Sequence, residues 1–284
     1  MRSCLNEKYL NWLKKKLLSN YGCGWDIFSN WDDPRLFTLT ALRRRGVPPE
    51  AINYFCSKVG VTMSNNTFNP TVLYSCIREV LNIKAKRVMA VLTPIKVKII
   101  NLDKNINLSV PNFPFDPSLG SRELTFGPEI YIDSCDFEDT PKDDDFRRLT
   151  LTQSVGLMHV NYVLNTVEVV MNGEKIDHLV CNIKEVTPST RPRAFIQWVH
   201  EGTFCHVRIY NELFIHANPD ETEGGFLNDI NQDSIKLYEN CLVEKSICNA
   251  KPLSNYQFER IGYFCVDTNI NDKKIIFNRT VQLK

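Results

Sequence analysis

The sequence predicts an α+β chain, a short helical unit followed by two β-barrels. Three observations carry this. Residues 31–84 hold three amphipathic helical stretches, each opened by a capping residue or a proline. From Val88 onward the apolar residues recur at every second position. Pro and Gly then cut these alternating runs at short intervals, which favours closed barrels or sandwiches over an open parallel sheet.

The helices come first. Asp33-Pro34 initiates a turn, and Pro34 cannot continue a preceding helix. Thr38 offers its hydroxyl to the orphan N–H groups of a short helix carrying Leu39, Leu42 and Arg43 to Arg45. Gly46 suits the left-handed position that ends it. Pro49 fits the first turn of the second helix, with Glu50 facing the positive end of its dipole. Ile52, Phe55 and Val59 share one face, and Gly60 stops the helix. Asn69 caps and Pro70 opens the third, whose buried face is Leu73, Cys76, Ile77, Val80 and Leu81. Three consecutive arginines point three ways around a helix, so Arg43, Arg44 and Arg45 present at least one charge to solvent or to a polyanion.

The strands follow. Val97 with Ile99, Leu108 with Val110, and Ile130 with Ile132 alternate with polar or opposite-face residues. Asn172-Gly173 lies between two β-rich runs and signals a hairpin, because both residues tolerate positive φ. His206–Tyr210 and Lys274–Phe277 supply later strands. The acidic loops Glu138–Asp145 and Asn218–Gly225 read as solvated rims and not as metal sites.

Composition bounds the function. With 284 residues, 43% hydrophobic and 24% charged, the chain has room for two or three compact units of ordinary soluble protein. No apolar run is long enough to span a membrane, and the first residues are too polar for a secretory signal. Net charge is only +1, yet residues 1–100 carry 16 Lys/Arg against 6 Asp/Glu, while the remainder carries 18 against 27. A basic first third points to a polyanionic partner. The ten cysteines form no CxxC pair and no zinc-finger spacing. They read as reduced, buried thiols of a cytosolic protein, Cys56 and Cys76 on helix faces among them. There is no GxxxxGK[ST] phosphate loop, HExxH or GxSxG, and neither a catalytic residue nor a metal site is expected.

The turn-and-helix run from Trp31 to Thr62 is followed in order by SCIREVLN (Ser75–Asn82), RVMAVL (Arg87–Leu92), VPNFP (Val110–Pro114), FIQWV (Phe195–Val199), GGFLNDIN (Gly224–Asn231), QFERIGYF (Gln257–Phe264) and FNRTVQLK (Phe277–Lys284). From about Asn30 to its last residue the chain resembles the tRNA-binding C-terminal half of the glutaminyl-tRNA synthetases, in their eukaryotic form. The resemblance implies a helical subdomain along the tRNA stem, residues 30–87, and two antiparallel barrels of the anticodon-binding type. The proximal barrel is expected at 88–142 and 205–284, and the distal barrel at 143–204. Residues 1–29 are atypical, a remnant of the end of a catalytic core. Lys14-Lys15-Lys16 there resembles the family's ATP-binding loop, but Trp12 and Leu13 depart from its pattern. No His-Ile-Gly-His-like element is present, so ATP and Mg are expected only for the complete enzyme, and this chain alone is not expected to aminoacylate.

The same resemblance implies site residues. Reading RNA bases requires splaying them out and meeting their edges with forked donors and acceptors, which Arg and Gln supply. Arg87 and Gln257 fall at the pocket for the middle anticodon base, with Asn82 close by. Arg148, beside Arg147, falls where the third base is bound, and Arg260 shapes the same region. Where many members carry a Gly-Leu-Arg-His-like run for the first base, this chain has Gly156-Leu157-Met158-His159; a methionine cannot make the forked, charged contact, and His159 is a partial substitute. Asn66 and Arg43 to Arg45 are candidate stem contacts. The expected partner is tRNA(Gln), with a multi-synthetase assembly as a further one, no DNA and no membrane, in the cytoplasm. The alternatives left open are a fragment of a complete ligase, a stand-alone RNA-binding or synthetase-complex module, and a generic barrel without RNA.

Overall fold

The structure is a computed structural model, and it describes residues 30–60, 68–141, 143, 145–223, 225–226, 228–268 and 274–284. The expected ATP-loop lysines Lys14, Lys15 and Lys16 and the expected stem contact Asn66 lie outside the described residues.

The three helices form as their capping residues dictate. In α1 (Leu39–Arg45) the Thr38 hydroxyl accepts from the Ala41 N–H at 3.1 Å. Gly46 ends it at φ 96°, and a Cβ there would sit 2.2 Å from the Cβ of Cys265, so the helix end can lie against the sheet only with glycine. Pro49 opens α2 (Pro49–Val59). In α3 (Pro70–Lys84) the Asn69 side-chain Oδ1 accepts from the Thr71 N–H at 3.0 Å. Leu42, Ala51, Phe55, Leu73, Cys76, Ile77 and Leu81 pack together and onto Tyr263 and Val281. Cys56, expected to be buried, is exposed on the far face of α2.

Fifteen strands follow among the described residues: β1 (Lys86–Val88), β2 (Ala90–Val91), β3 (Pro94–Ile99), β4 (Ile106–Pro111), β5 (Ser121–Phe126), β6 (Glu129–Asp133), β7 (Val155–Leu157), β8 (Tyr162–Asn172), β9 (Lys175–Glu185), β10 (Phe195–Ile196), β11 (Gly202–Tyr210), β12 (Ile235–Glu244), β13 (Asn255–Phe258), β14 (Gly262–Val266) and β15 (Ile276–Gln282). Thirteen of them make two barrel-like sheets, as the α+β reading expects, and β4 and β5 pair only with each other. The first has the order β1-β13-β14-β15-β11-β12-β2. Its two edge strands are separated in sequence by Met89 alone, so the sheet must curl until its edges meet. Phe258, Phe264 and Phe277 fill it, with ring centroids 4.2 and 5.1 Å apart. The second has the order β10-β7-β8-β9-β3-β6. It closes where Tyr131 of β6 and Val199, just beyond β10, exchange backbone hydrogen bonds of 2.7 and 3.0 Å. Trp198 and Phe126, centroids 4.9 Å apart, lie in its core. Each sheet is mainly antiparallel with two parallel pairs, β1 with β13 and β11 with β15 in the first, β10 with β7 and β3 with β9 in the second.

Two expectations shift. Strands β3 and β6, placed by sequence in the proximal barrel with 205–284, belong instead to the sheet built from 155–196. Both edges of β3 are occupied, with Val97 opposite Ile130 on one side and Leu179 on the other. Of the stretch 88–142, only Val88 and Ala90–Val91 carry strand pairing into the first sheet. Alternation reveals that a segment is a strand but not which strand it pairs with. The hairpin at Asn172 is shifted by one residue: Asn172 pairs with Lys175, and of the turn residues only Gly173 has positive φ (63°).

Candidate nucleic-acid interface

Arg87, Gln257 and Tyr263 form one row across three neighbouring strands. Arg87 in β1 lies opposite Gln257 in β13, which lies opposite Tyr263 in β14. Directly opposed residues share a sheet face. The next positions, Val88, Phe258 and Phe264, point into the barrel, so this row faces outward. The C-terminal turn of α3 closes one side of the row. Arg87 donates from one terminal nitrogen to the Asn82 backbone carbonyl (3.0 Å) and from the other to Asn82 Oδ1 (2.9 Å). The Tyr263 hydroxyl reaches the same Oδ1 at 3.4 Å. Burial pushes the Tyr263 pKa up against the opposing effect of Arg87 and Arg78, so its hydroxyl stays a donor. The loop between β4 and β5 closes the other side, with the Arg87 N–H donating to the Asn112 carbonyl at 2.9 Å.

This row is not saturated. A guanidinium has five N–H donors, and the two bonds to Asn82 engage two of them. Gln257 Oε1 is buried and has no hydrogen-bond partner among the described residues. A buried amide oxygen left unpaired costs about 1–3 kcal/mol, which a ligand donor would recover. The sequence-derived trio Asn82, Arg87 and Gln257 is therefore brought together around one open acceptor.

The other expected contacts are placed less uniformly. Arg147 is exposed, 3.6 Å from Asp145. Arg148 lies with its Nε 3.3 Å from Asp136 Oδ1 and donates to the Cys135 carbonyl at 2.7 Å, keeping its outer edge in solvent. Arg260, by contrast, is held by a carboxylate. It sits at φ 66° on the turn between β13 and β14 and clasps Asp136 through two nitrogens (2.8 and 2.7 Å), with a 2.6 Å bond to Gln197. Burial lowers the Arg260 pKa, but Asp136 outweighs this and raises it. Arg260 thus holds the two barrels together and orients Arg148 through their shared carboxylate, with both terminal nitrogens already bonded to protein.

The first-base candidates are also engaged. Met158 packs against the second barrel's core, and its carbonyl accepts from the Trp198 indole at 2.8 Å. His159, at φ 63°, sets Nε2 3.0 Å from both oxygens of Glu259. Glu259 also pairs with Arg122 (3.0 Å), which in turn pairs with Glu244 (2.8 Å). Burial pushes Glu259 up, but His159 and Arg122 overcome it and hold its carboxyl below the ordinary range. For Glu244 burial prevails and its pKa is raised.

Of the arginine run, only Arg43 is exposed. Arg44 pairs with fully buried Asp267 (3.0 Å) and with Asp32 (3.2 Å), and Arg45 is buried, donating to the Thr280 carbonyl at 3.1 Å. Arg44 and Arg45 are therefore corrected from stem contacts to bolts between α1 and the first sheet. Sequence reading missed Asp136, Glu259 and Arg122, because a pairing across more than a hundred residues leaves no local spacing. Tyr263 lay in plain view beside Gln257 in the QFERIGYF block.

Three family models match the chain. The catalytic domain of class I (E and Q) tRNA synthetases covers residues 5–83. Two models of their anticodon-binding domain cover residues 85–184 and 195–267. The chain belongs to the class I (E and Q) tRNA synthetases. It is 44% identical to a glutamine–tRNA ligase of Bos taurus and 42% to a probable one of Caenorhabditis elegans, over 99% of this chain and 36% of each relative. It is 38% identical to a glutamine–tRNA ligase of Tolumonas auensis over 99% of this chain and 52% of that protein. The chain thus corresponds to the C-terminal region of a glutaminyl-tRNA synthetase, and it spans about a third to a half of the length of these curated relatives. The two anticodon-binding matches take in the strands of both barrels apart from β15, and the catalytic-domain match takes in the helical unit. No helix among the described residues is long and apolar enough to cross a membrane.

Proposed function

We propose that this chain binds glutamine tRNA and reads its anticodon, with the middle base seated against Arg87, Gln257 and Asn82 and the third base against Arg148 and Arg147. The observation that carries this is the unpartnered, buried Gln257 Oε1 beside an Arg87 fork with unused donors. An acceptor next to a donor fork is what a splayed base edge requires, since such an edge presents both kinds of group. Exposed Arg43 contributes a phosphate contact. ATP, Mg and glutamine enter this proposal only with the rest of a full-length ligase, at work in the cytoplasm. The contribution of the present region is positioning, in which binding energy at the anticodon orients the distant acceptor end.

Binding of the purified chain to a glutamine tRNA transcript, across a salt series, tests the reading against a transcript changed only at the middle anticodon base. The expected outcome is salt-dependent binding that weakens by about 1–3 kcal/mol on that single change. Equal affinity for both transcripts would overturn base reading at this pocket.

A further inference from the structure

We propose that Phe115 is a stacking platform for the base held in the Arg87–Gln257 row, a specificity element that rests on the anticodon reading above. Phe115 lies on the loop between β4 and β5 and is 80% exposed, the most exposed of the large apolar side chains among the described residues. Its placement is not accidental. The loop is closed by the Asn112 N–H bonding to Gly120 O (2.9 Å) and by a turn from Phe113 O to Asp116 N (3.2 Å), with Phe115 inside that turn. The Asp116 side chain then caps the 3₁₀ turn that begins at Pro117. The loop is docked on the site itself through Asn112 O and Arg87 N.

The consequence is that the Arg87 guanidinium lies over the Phe115 ring, with Cζ 5.3 Å from the ring centroid. A base whose edge meets a guanidinium fork lies roughly in the plane of that fork. A ring packed beside the guanidinium therefore also borders the place such a base would occupy. Three features converge on one planar, partly polar guest: a donor fork, an unpartnered buried acceptor on Gln257, and an aromatic face. An unstacked nucleobase has that chemistry, with polar edges for the row and a π-face for the ring.

The test measures affinity of the full chain and its Phe115→Ala, Phe115→Leu and Phe115→Trp variants for a glutamine tRNA transcript, and for the same transcript made abasic at the middle anticodon position. Stacking predicts that Phe115→Ala and Phe115→Leu weaken binding of the intact transcript about tenfold, while Phe115→Trp binds at least as tightly as the wild type. On the abasic transcript all four proteins bind alike, because the partner of the ring is gone. The melting temperature stays unchanged throughout, since the side chain is in solvent. Wild-type affinity in Phe115→Ala, full affinity in Phe115→Leu, or an equal loss on the abasic transcript would each overturn the proposal while leaving the anticodon reading in place. Absence of salt-dependent binding by the wild type would overturn both.

Discussion

Two arginine-bearing regions of this molecule differ in what they leave open. At the barrel junction, Arg260 and Arg122 meet Asp136, Glu259 and Glu244, and both guanidinium groups are held by carboxylates. At the Arg87 row the partners are a backbone carbonyl and an amide, both neutral, and a neighbouring acceptor has no partner. Carboxylates that hold a guanidinium through two of its nitrogens, as at Arg260 and Arg122, neutralise it and fix it as structure, whereas Arg148 meets Asp136 through Nε alone. Neutral partners orient the guanidinium but leave its charge and part of its fork for a guest. The partner set, not the arginine, separates scaffold from site.

The largest effect that would sharpen this contrast is at the junction. Asp136→Ala leaves Arg260 without its carboxylate in a half-buried place and frees Arg148. Loss of about 3 kcal/mol of stability is expected, read by urea titration. Transcript binding should fall with it, because the Arg148 side chain loses its anchor. A variant as stable as the wild type would mean that the clasp contributes nothing. Next comes acid sensitivity. The folded pKa of Glu259 is depressed below its ordinary 4.5, so its stabilisation is complete above that value and drains as pH falls through the lower, folded one. Glu244, raised, works in the opposite sense, losing stability as pH rises from 4.5 through its folded value. Glu259→Gln should therefore cost about 2 kcal/mol at neutral pH and flatten the acid limb of the stability profile below pH 4.5. An unchanged acid limb would assign that limb to other carboxylates.

The Arg87 row should behave inversely. Gln257→Leu removes an acceptor that has no partner, so it should leave stability within about 0.5 kcal/mol of wild type or raise it. The same change should weaken transcript binding by about 1–2 kcal/mol and erase the penalty for changing the middle base. A destabilised Gln257→Leu with undiminished base preference would place this residue with the scaffold.

How much of this was legible beforehand follows from the range of the interactions. The helices declared themselves, because Thr38, Gly46, Asn69 and Pro70 act within four residues of where they sit. Strands such as β3 and β6 were visible from period-two burial, but their barrel was misassigned, since Val97 meets Leu179 across 82 positions that no local pattern encodes. Arg87 and Gln257 were found through motif blocks, 170 residues apart and paired in register. Arg260 sat in the same block as Gln257 and was grouped with it. Its real partner, Asp136, was one acidic residue among many until the fold brought it 2.7 Å away. Phe115 gave no signal, because whether an aromatic residue is core or surface depends on which way its loop turns.

The smallest expected effect concerns the arginine run of α1, where the same contrast is compressed into three adjacent residues. Arg44 reaches fully buried Asp267 and Arg45 reaches the carbonyl of Thr280, so both tie α1 to the first sheet. Arg43 alone is exposed. Burial lowers the Arg44 pKa, yet its bonds to Asp267 and Asp32 carry it above the ordinary value, which marks a charge already neutralised by protein. Only a charge that is not so neutralised can release a counterion on meeting phosphate. Arg43→Ala should leave stability within about 0.5 kcal/mol of wild type, yet reduce the slope of log affinity against log salt by about 1. Arg44→Ala should do the reverse, costing stability while leaving that slope alone. If Arg43→Ala leaves the salt slope where it was, the helical unit does not touch the tRNA backbone at this point, and its arginines serve the fold alone.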